Sequence, residues 1–198
     1  MTNQNNSSTI TQYCNCYLLR NHNIIKDDLW VRDGVILDPK IIFFDEKTSA
    51  DIQIDCHGAI ISPGFIDVQC NDLLKRVPEV TRQLLPHGVT SLCPTVITLP
   101  RQHYAKIIPQ IQRKPGGPDG TGILGLHLEG PFINPEKKGA HPAEHILQPV
   151  NGISDLFSIY GNIDHAAIVT IAPEIPGSME IIRELTSKGI VVSLARQQ

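Results

Sequence analysis

Residues Gly122–Gly130 read GILGLHLEG, a run that is apolar except for His127 and that ends in a carboxylate, Glu129. A strand with one wet face alternates polar and apolar residues. A run that stays apolar on both parities suits a strand covered on both faces, as in a parallel sheet. Three similar runs recur: AIISPGFIDVQ (Ala59–Gln69), GVTSLCPTVIT (Gly88–Thr98) and HAAIVTIAPEI (His165–Ile175). A fifth, GIVVSL (Gly189–Leu194), lies near the C-terminus. Segments with helical character separate them: VPEVTRQLLPHG, PRQHYAKIIPQIQ, ISDLFSIYGN and GSMEIIRELTSKG. The last starts at a Ser, stops at a Gly and sets Ile181, Ile182 and Leu185 on one face, the usual punctuation of an amphipathic helix. The alternation predicts an α/β array of βα units, either a barrel or an open sheet; spacing does not choose between them.

Residues 13–58 read differently. CYLLR, DLWVRDGVILDP, IIFF and ADIQIDCHG are short extended pieces, and the Asp-Gly of RDGVI (Arg32–Ile36) is the dipeptide of a tight hairpin. The expected organisation is a disordered start over 1–12, a small β-layer over 13–58 and the βα array over 59–198. RKPGGPDGTG (Arg113–Gly122) is a Gly/Pro connection whose glycines have no phosphate-loop order.

The 198 residues carry 17 basic and 20 acidic side chains, a net charge of −3, which gives no electrostatic footprint for nucleic acid or an anionic membrane. The apolar runs are far shorter than the roughly 18 residues that read as a membrane span. The polar opening MTNQNNSSTITQ lacks the basic-then-apolar order of a secretion signal, so a cytoplasmic protein is expected. The five cysteines are scattered with no CxxC pair, which argues for structural thiols over a zinc knuckle or redox dithiol.

In parallel βα architectures, functional side chains gather at the C-terminal ends of strands. Asp67, Gln69 and Asn71 fall at the end of the first run, His127 and Glu129 at the end of the third, and Glu174 after the fourth. A carboxylate at the position of Glu129 can ligate a metal, act as a general base, cap a helix or sit in a salt bridge. His127, two residues earlier, shares a face with it. That spacing fits a metal pair, and it fits a core histidine with a satisfied ring. His141 lies in KKGAHP beside Lys137 and Lys138, a loop that suits a solvated surface or an anion contact. No GxSxG, P-loop, CxxCH or HExxH is present, and Gln69-Cys70-Asn71 stands where many metal hydrolases carry His-x-His.

Taken together, PGFIDVQ, HGVTSLCPT, ILGLHLEGPFINPEKKGAHP and VTIAPE resemble the N-acetylglucosamine-6-phosphate deacetylase family of the amidohydrolase superfamily, from about Tyr13 to Leu194. The resemblance implies a TIM-type (β/α)8 barrel, here a partial one of about five βα units, preceded by a segment of a small β-sandwich. It implies a metal-dependent amidohydrolase that converts N-acetylglucosamine 6-phosphate to glucosamine 6-phosphate and acetate in amino-sugar catabolism. A divalent cation, zinc or similar, would polarise the amide and activate water. Glu129 maps to a metal ligand, Ala140 and His141 to sugar contacts, and Gln69 and Asn71 to the Gln-x-Asn of the metal neighbourhood, beside His127. The implied partner is a small amino-sugar phosphate, with neither nucleic acid nor membrane, and full-length relatives are candidates for homo-oligomers.

The chain departs from the family pattern in three places. DLLKRVPEVTRQLLP follows Asn71 directly where the family has a Gly-rich loop. Ala195 and Arg196 stand where the family has the Gly-His of a Gly-His-Ser, so a cation replaces a ligand. The family's second histidine ligand and catalytic aspartate have no counterpart before Gln198. These departures predict impaired metal binding and a truncated, catalytically inactive form as the alternative to an active deacetylase.

Overall fold

The computed structural model describes residues 9–71 and 76–195. The start of the chain, the segment directly after Asn71 and Arg196 fall outside these residues. The chain divides into two compact units, Met1–Pro63 and Gly64–Gln198.

The first unit is built of short strands: β1 (Ile10–Cys14), β2 (Tyr17–Arg20), β3 (Asn23–Lys26), β4 (Leu29–Arg32), β5 (Val35–Leu37), β6 (Ile52–Asp55) and β7 (Ile60–Ile61). They form one sheet in the order β5-β4-β1-β6 and another in the order β3-β2-β7. The predicted hairpin is present: Arg32 pairs with Val35 across Asp33 and Gly34, both at positive φ (52° and 78°) as a two-residue type I′ connection requires. Ile10, Trp30 and Ile42 make its core, with the Phe43 ring edge-on to Trp30 at 5.1 Å.

Two expectations for this region change. Ile10–Gln12, expected to be disordered, lie in β1, where Thr11 and Gln12 pair with β4 on one side and β6 on the other. The run Ala59–Gln69 is two strands rather than one. β7 runs parallel to β2, and β8 (Phe65–Cys70) belongs to the second unit. The break is at Pro63, which has no N–H to continue a ladder. The boundary therefore falls at 63/64 and not at 58/59.

The second unit is a parallel sheet with helices between its strands. To β8 it adds β9 (Val89–Val96), β10 (Gly122–Ile123), β11 (Leu126–Glu129), β12 (Ala166–Ile171) and β13 (Val191–Leu194). The helices α1 (Val77–Leu84), α2 (Arg101–Ile107), α3 (Ile153–Tyr160) and α4 (Ser178–Ser187) fall in the four predicted segments. β10 pairs with Ser91 and Leu92 at the start of β9, and β11 with Thr95 and Val96 at its end. GILGLHLE is thus one strand position interrupted at Leu124 and Gly125, and the order is β8, β9, β10/β11, β12, β13.

Side-chain alternation sorts β11. Leu126 and Leu128, both 0% exposed, join the core with Val169 and Ile171 of β12, Leu156 and Tyr160 of α3, and Ile181 and Leu185 of α4. His127 and Glu129 point the other way. That second face is curled. β8 and β11 are separated by β9 and would stand about 9–10 Å apart in a flat sheet. Yet Gln69 of β8 reaches Glu129 at 3.0 Å, and the Val68 carbonyl accepts from His127 at 2.8 Å. These contacts are chords across a concave face, the geometry of a partial barrel. Among the described residues, no helix is long and apolar enough to cross a membrane.

Candidate active site

A cavity of about 480 Å³ opens at the C-terminal ends of β8, β11 and β12. Of the residues singled out in the sequence, Gln69, Asn71, Glu129, Ala140 and His141 all line it, together with Lys137, Lys138 and Thr170. His127 lies directly behind. Glu174 does not line the cavity; it accepts a hydrogen bond from Asn134 Nδ2 at 2.8 Å and so ties the loop after β11 to the exit of β12.

Local sequence sets each side chain. Pro94 in β9 cannot donate to the ladder, and β8 passes it in a bulge: Asp67 to Cys70 spans three steps against two from Leu92 to Pro94. The Cys70 N–H bonds to Thr95 Oγ1 at 3.0 Å, and the Gln69 N–H to Asp67 Oδ1 at 3.1 Å. The bulge aims Gln69 across the concave face, where its amide donates to Glu129 Oε2 at 3.0 Å.

Glu129 closes β11, and its other oxygen, Oε1, lies 3.7 Å from His141 Nε2. The carboxylate is 20% exposed and the imidazole 14%, so the pair is screened less than a surface contact. The far side of the His141 ring meets Thr98 Oγ1 at 2.8 Å, and Lys138 Nζ donates to the His141 carbonyl at 3.4 Å. Two tyrosines fix the backbone around this cluster. Tyr160 donates to the Gly130 carbonyl at 2.6 Å, and Tyr104 accepts from the Leu99 N–H at 3.0 Å, just past the end of β9. Their rings meet edge-to-face at 5.2 Å, and Phe132 of the loop packs on Tyr160 at 5.8 Å. Burial pushes the Tyr104 hydroxyl up to about 12 and that of Tyr160 well above its usual range, so both remain neutral, Tyr104 donating its own proton to the Ile97 carbonyl at 3.4 Å.

His127 is buried, with Nδ1 at 2.8 Å from the Val68 carbonyl and Nε2 at 2.8 Å from Thr170 Oγ1. A carbonyl only accepts, so Nδ1 carries the proton and Nε2 accepts from Thr170. Burial lowers its pKa, against smaller opposing effects of the Val68 carbonyl and Glu129. Both ring nitrogens are therefore committed to protein partners, and His127 ties β8, β11 and β12 together.

This has a consequence for acid stability. A histidine held neutral by burial takes up its proton more readily when the chain unfolds. Its contribution is thus fully present above the ordinary value near 6.5 and is lost as pH falls below it. Between pH 7.5 and 5.5, the wild-type chain should lose stability more steeply than His127→Gln. The two slopes should differ by at most about 1.4 kcal/mol per pH unit, the limit for one proton. Equal slopes in denaturant titrations at each pH would refute the assignment.

For a divalent cation the donor set is thin. Glu129 offers one carboxylate, and among the described residues no group of three His, Cys, Asp or Glu assembles. A catalytic zinc ordinarily takes three protein ligands, so the described residues do not make up a complete metal site. Ala195, whose N–H bonds to the Ile171 carbonyl at 2.9 Å, does line the cavity, so the chain after β13 reaches the site. A larger cavity of about 670 Å³ between α2, α3 and residues 144–151 contains none of the residues singled out in the sequence.

No protein-family model matches the chain. Individual relatives do. The chain is 49% identical to the N-acetylglucosamine-6-phosphate deacetylase of Homo sapiens, over 93% of its own length and 48% of that protein's. It is 41% identical to the deacetylase of that name from Caenorhabditis elegans, over 95% of its length and 49% of that protein's. Among solved structures, the N-acetylglucosamine-6-phosphate deacetylase of Pasteurella multocida superposes with a TM-score of 0.63 at 25% identity, covering 94% of this chain and 50% of that one. The Thermotoga maritima deacetylase superposes at 0.68 with 24% identity, a likeness of fold, over 92% and 48% of the two chains. The chain spans about half the length of the curated relatives it matches.

Proposed function

We propose that this chain, a member of the N-acetylglucosamine-6-phosphate deacetylase family, binds N-acetylglucosamine 6-phosphate in the cavity at the ends of β8, β11 and β12 and serves its hydrolysis to glucosamine 6-phosphate and acetate. The observation that carries the proposal is the convergence of Gln69, Glu129 and His141 from three separate sequence segments on one concave face.

The chain's own residues bind and orient. Gln69 holds Glu129 through Oε2 and leaves Oε1 turned towards His141. Ala140 and His141 face the sugar, His141 as a hydrogen-bonding group within reach of a ring hydroxyl. Lys137 and Lys138 bring the positive charge a sugar phosphate needs. A bound divalent cation would polarise the acetamide carbonyl and lower the pKa of a water. Glu129 is the ligand the described residues would offer it. A cytoplasmic, soluble setting, with neither nucleic acid nor membrane as partner, belongs to the same reading.

Hydrolysis splits the amide C–N bond and releases one acetate per sugar, so the test is direct. Purified chain, supplied with zinc or another divalent cation, is assayed for acetate from N-acetylglucosamine 6-phosphate. Acetate release that depends on the cation supports the proposal. Absence of both acetate release and sugar binding would refute it.

A further inference from the structure

We propose that Thr98 is a positioning residue for His141, holding the imidazole in the Nε2–H tautomer so that it presents a donor to the cavity. The proposal deepens the reading of the sugar site and, where it concerns the sugar, rests on it.

Thr98 is 0% exposed, and its Oγ1 stands 2.8 Å from His141 Nδ1. A buried hydroxyl must place its proton on an acceptor. Nδ1 is the partner found for it among the described residues, so Nδ1 accepts and the ring proton sits on Nε2. The opposite end of the ring is compatible with that answer. Nε2 faces Glu129 Oε1 at 3.7 Å, and a carboxylate only accepts. The hydrogen bond at Nδ1 selects the tautomer, and the carboxylate near Nε2 favours a proton on that side. His127 follows the same logic to the opposite result, because its Nδ1 faces a carbonyl.

The backbone between the acid and the loop leaves room for this bond. Gly130 follows Glu129 at φ +77°, and a Cβ there would lie 2.2 Å from Thr98 Oγ1 and 3.5 Å from His141 Nδ1. Only a residue without a side chain lets hydroxyl and ring meet beside the carboxylate. Thr98 itself does not appear among the residues lining the cavity, so it acts through His141.

The test uses the whole chain labelled with ¹⁵N-histidine, with the His141 signals identified by their loss in His141→Gln. Long-range ¹H–¹⁵N spectra above pH 7 should show the Nε2–H pattern for His141 and the Nδ1–H pattern for His127. Thr98→Ser should keep the His141 pattern. Thr98→Val, of equal volume but without a donor, should give a mixture of tautomers and weaken binding of N-acetylglucosamine 6-phosphate about tenfold, the scale of one lost hydrogen bond. Thr98→Ser should bind within about twofold of wild type on the same scale. An Nδ1–H pattern in the wild type, or an unchanged pattern in Thr98→Val, would overturn the proposal. A wild-type chain that shows the expected tautomers but binds no sugar would remove the sugar-site reading and leave the role of Thr98 in place.

Discussion

On the proposed reading, in which the chain supplied with a cation releases acetate, Glu129→Gln is expected to lower that release by about three orders of magnitude or more, the scale on which an active site loses a central group. The substitution preserves shape. Gln69 can still donate to an oxygen at the end of the residue-129 side chain, and the buried residues Leu126 and Leu128 on the opposite face of β11 are untouched. What goes is the negative charge. Without it, His141 Nε2 loses the negative charge 3.7 Å away, and a cation loses the carboxylate that the described residues would offer it. Thermal unfolding should therefore change little while turnover collapses. A variant that releases acetate at the wild-type rate would show that Glu129 is a structural acid.

Gly130→Ala should do the reverse, damaging the fold and the site together. The φ of +77° costs an L-residue about 1–2 kcal/mol. The added Cβ would meet Thr98 Oγ1 at 2.2 Å and Ile133 Cγ1 at 3.0 Å, and overpacking of this kind costs about 1–3 kcal/mol more. The expected loss of about 2–5 kcal/mol is measurable as a shift of the denaturant midpoint. Relief by local movement has little scope, because the Gly130 carbonyl is held by the buried Tyr160 hydroxyl at 2.6 Å. Wherever the chain does yield, the Thr98–His141 bond is the contact displaced, so sugar affinity should fall even below the denaturation range. Stability within about 0.5 kcal/mol of wild type, the range of a neutral surface change, would contradict this account of the turn.

Much of this was legible in the sequence. Parallel strands announce themselves as continuous apolar runs, and the helices between them by amphipathic spacing and end signals. The double burial expected of such runs holds best for β11, while the outer strands β8 and β13 leave Phe65, Ile66, Val68, Val191 and Leu194 exposed. Residues at strand ends, and the loop that follows β11, gather at one end of the sheet, which is why Gln69, Glu129 and His141 share a cavity. Three features were not legible, each for a physical reason. The run Ala59–Gln69 looked continuous, and the effect of Pro63 on the ladder becomes visible only when β7 and β8 are found in different sheets. The bulge that aims Gln69 depends on which residue of β9 stands opposite, a question of register that β8 alone does not answer. Thr98, Thr170 and Tyr160 act across gaps of 30 to 43 residues. A hydroxyl in an apolar run gives no hint of which distant ring or carbonyl will meet it. Pro94 marks an irregular ladder nearby but not which residue of β8 it displaces. The three hydroxyls have no comparable local mark.

The central claim is that the concave face at the ends of β8, β11 and β12 is a sugar-phosphate site. The most direct test is to titrate the chain with N-acetylglucosamine 6-phosphate while following its backbone amide signals by NMR. The predicted result is saturable perturbation centred on Gln69, Glu129, residues 137–141 and Thr170, and its loss in a chain carrying both Glu129→Gln and His141→Gln. Perturbation centred instead on the cavity between α2 and α3, or binding that survives both substitutions unchanged, would contradict it.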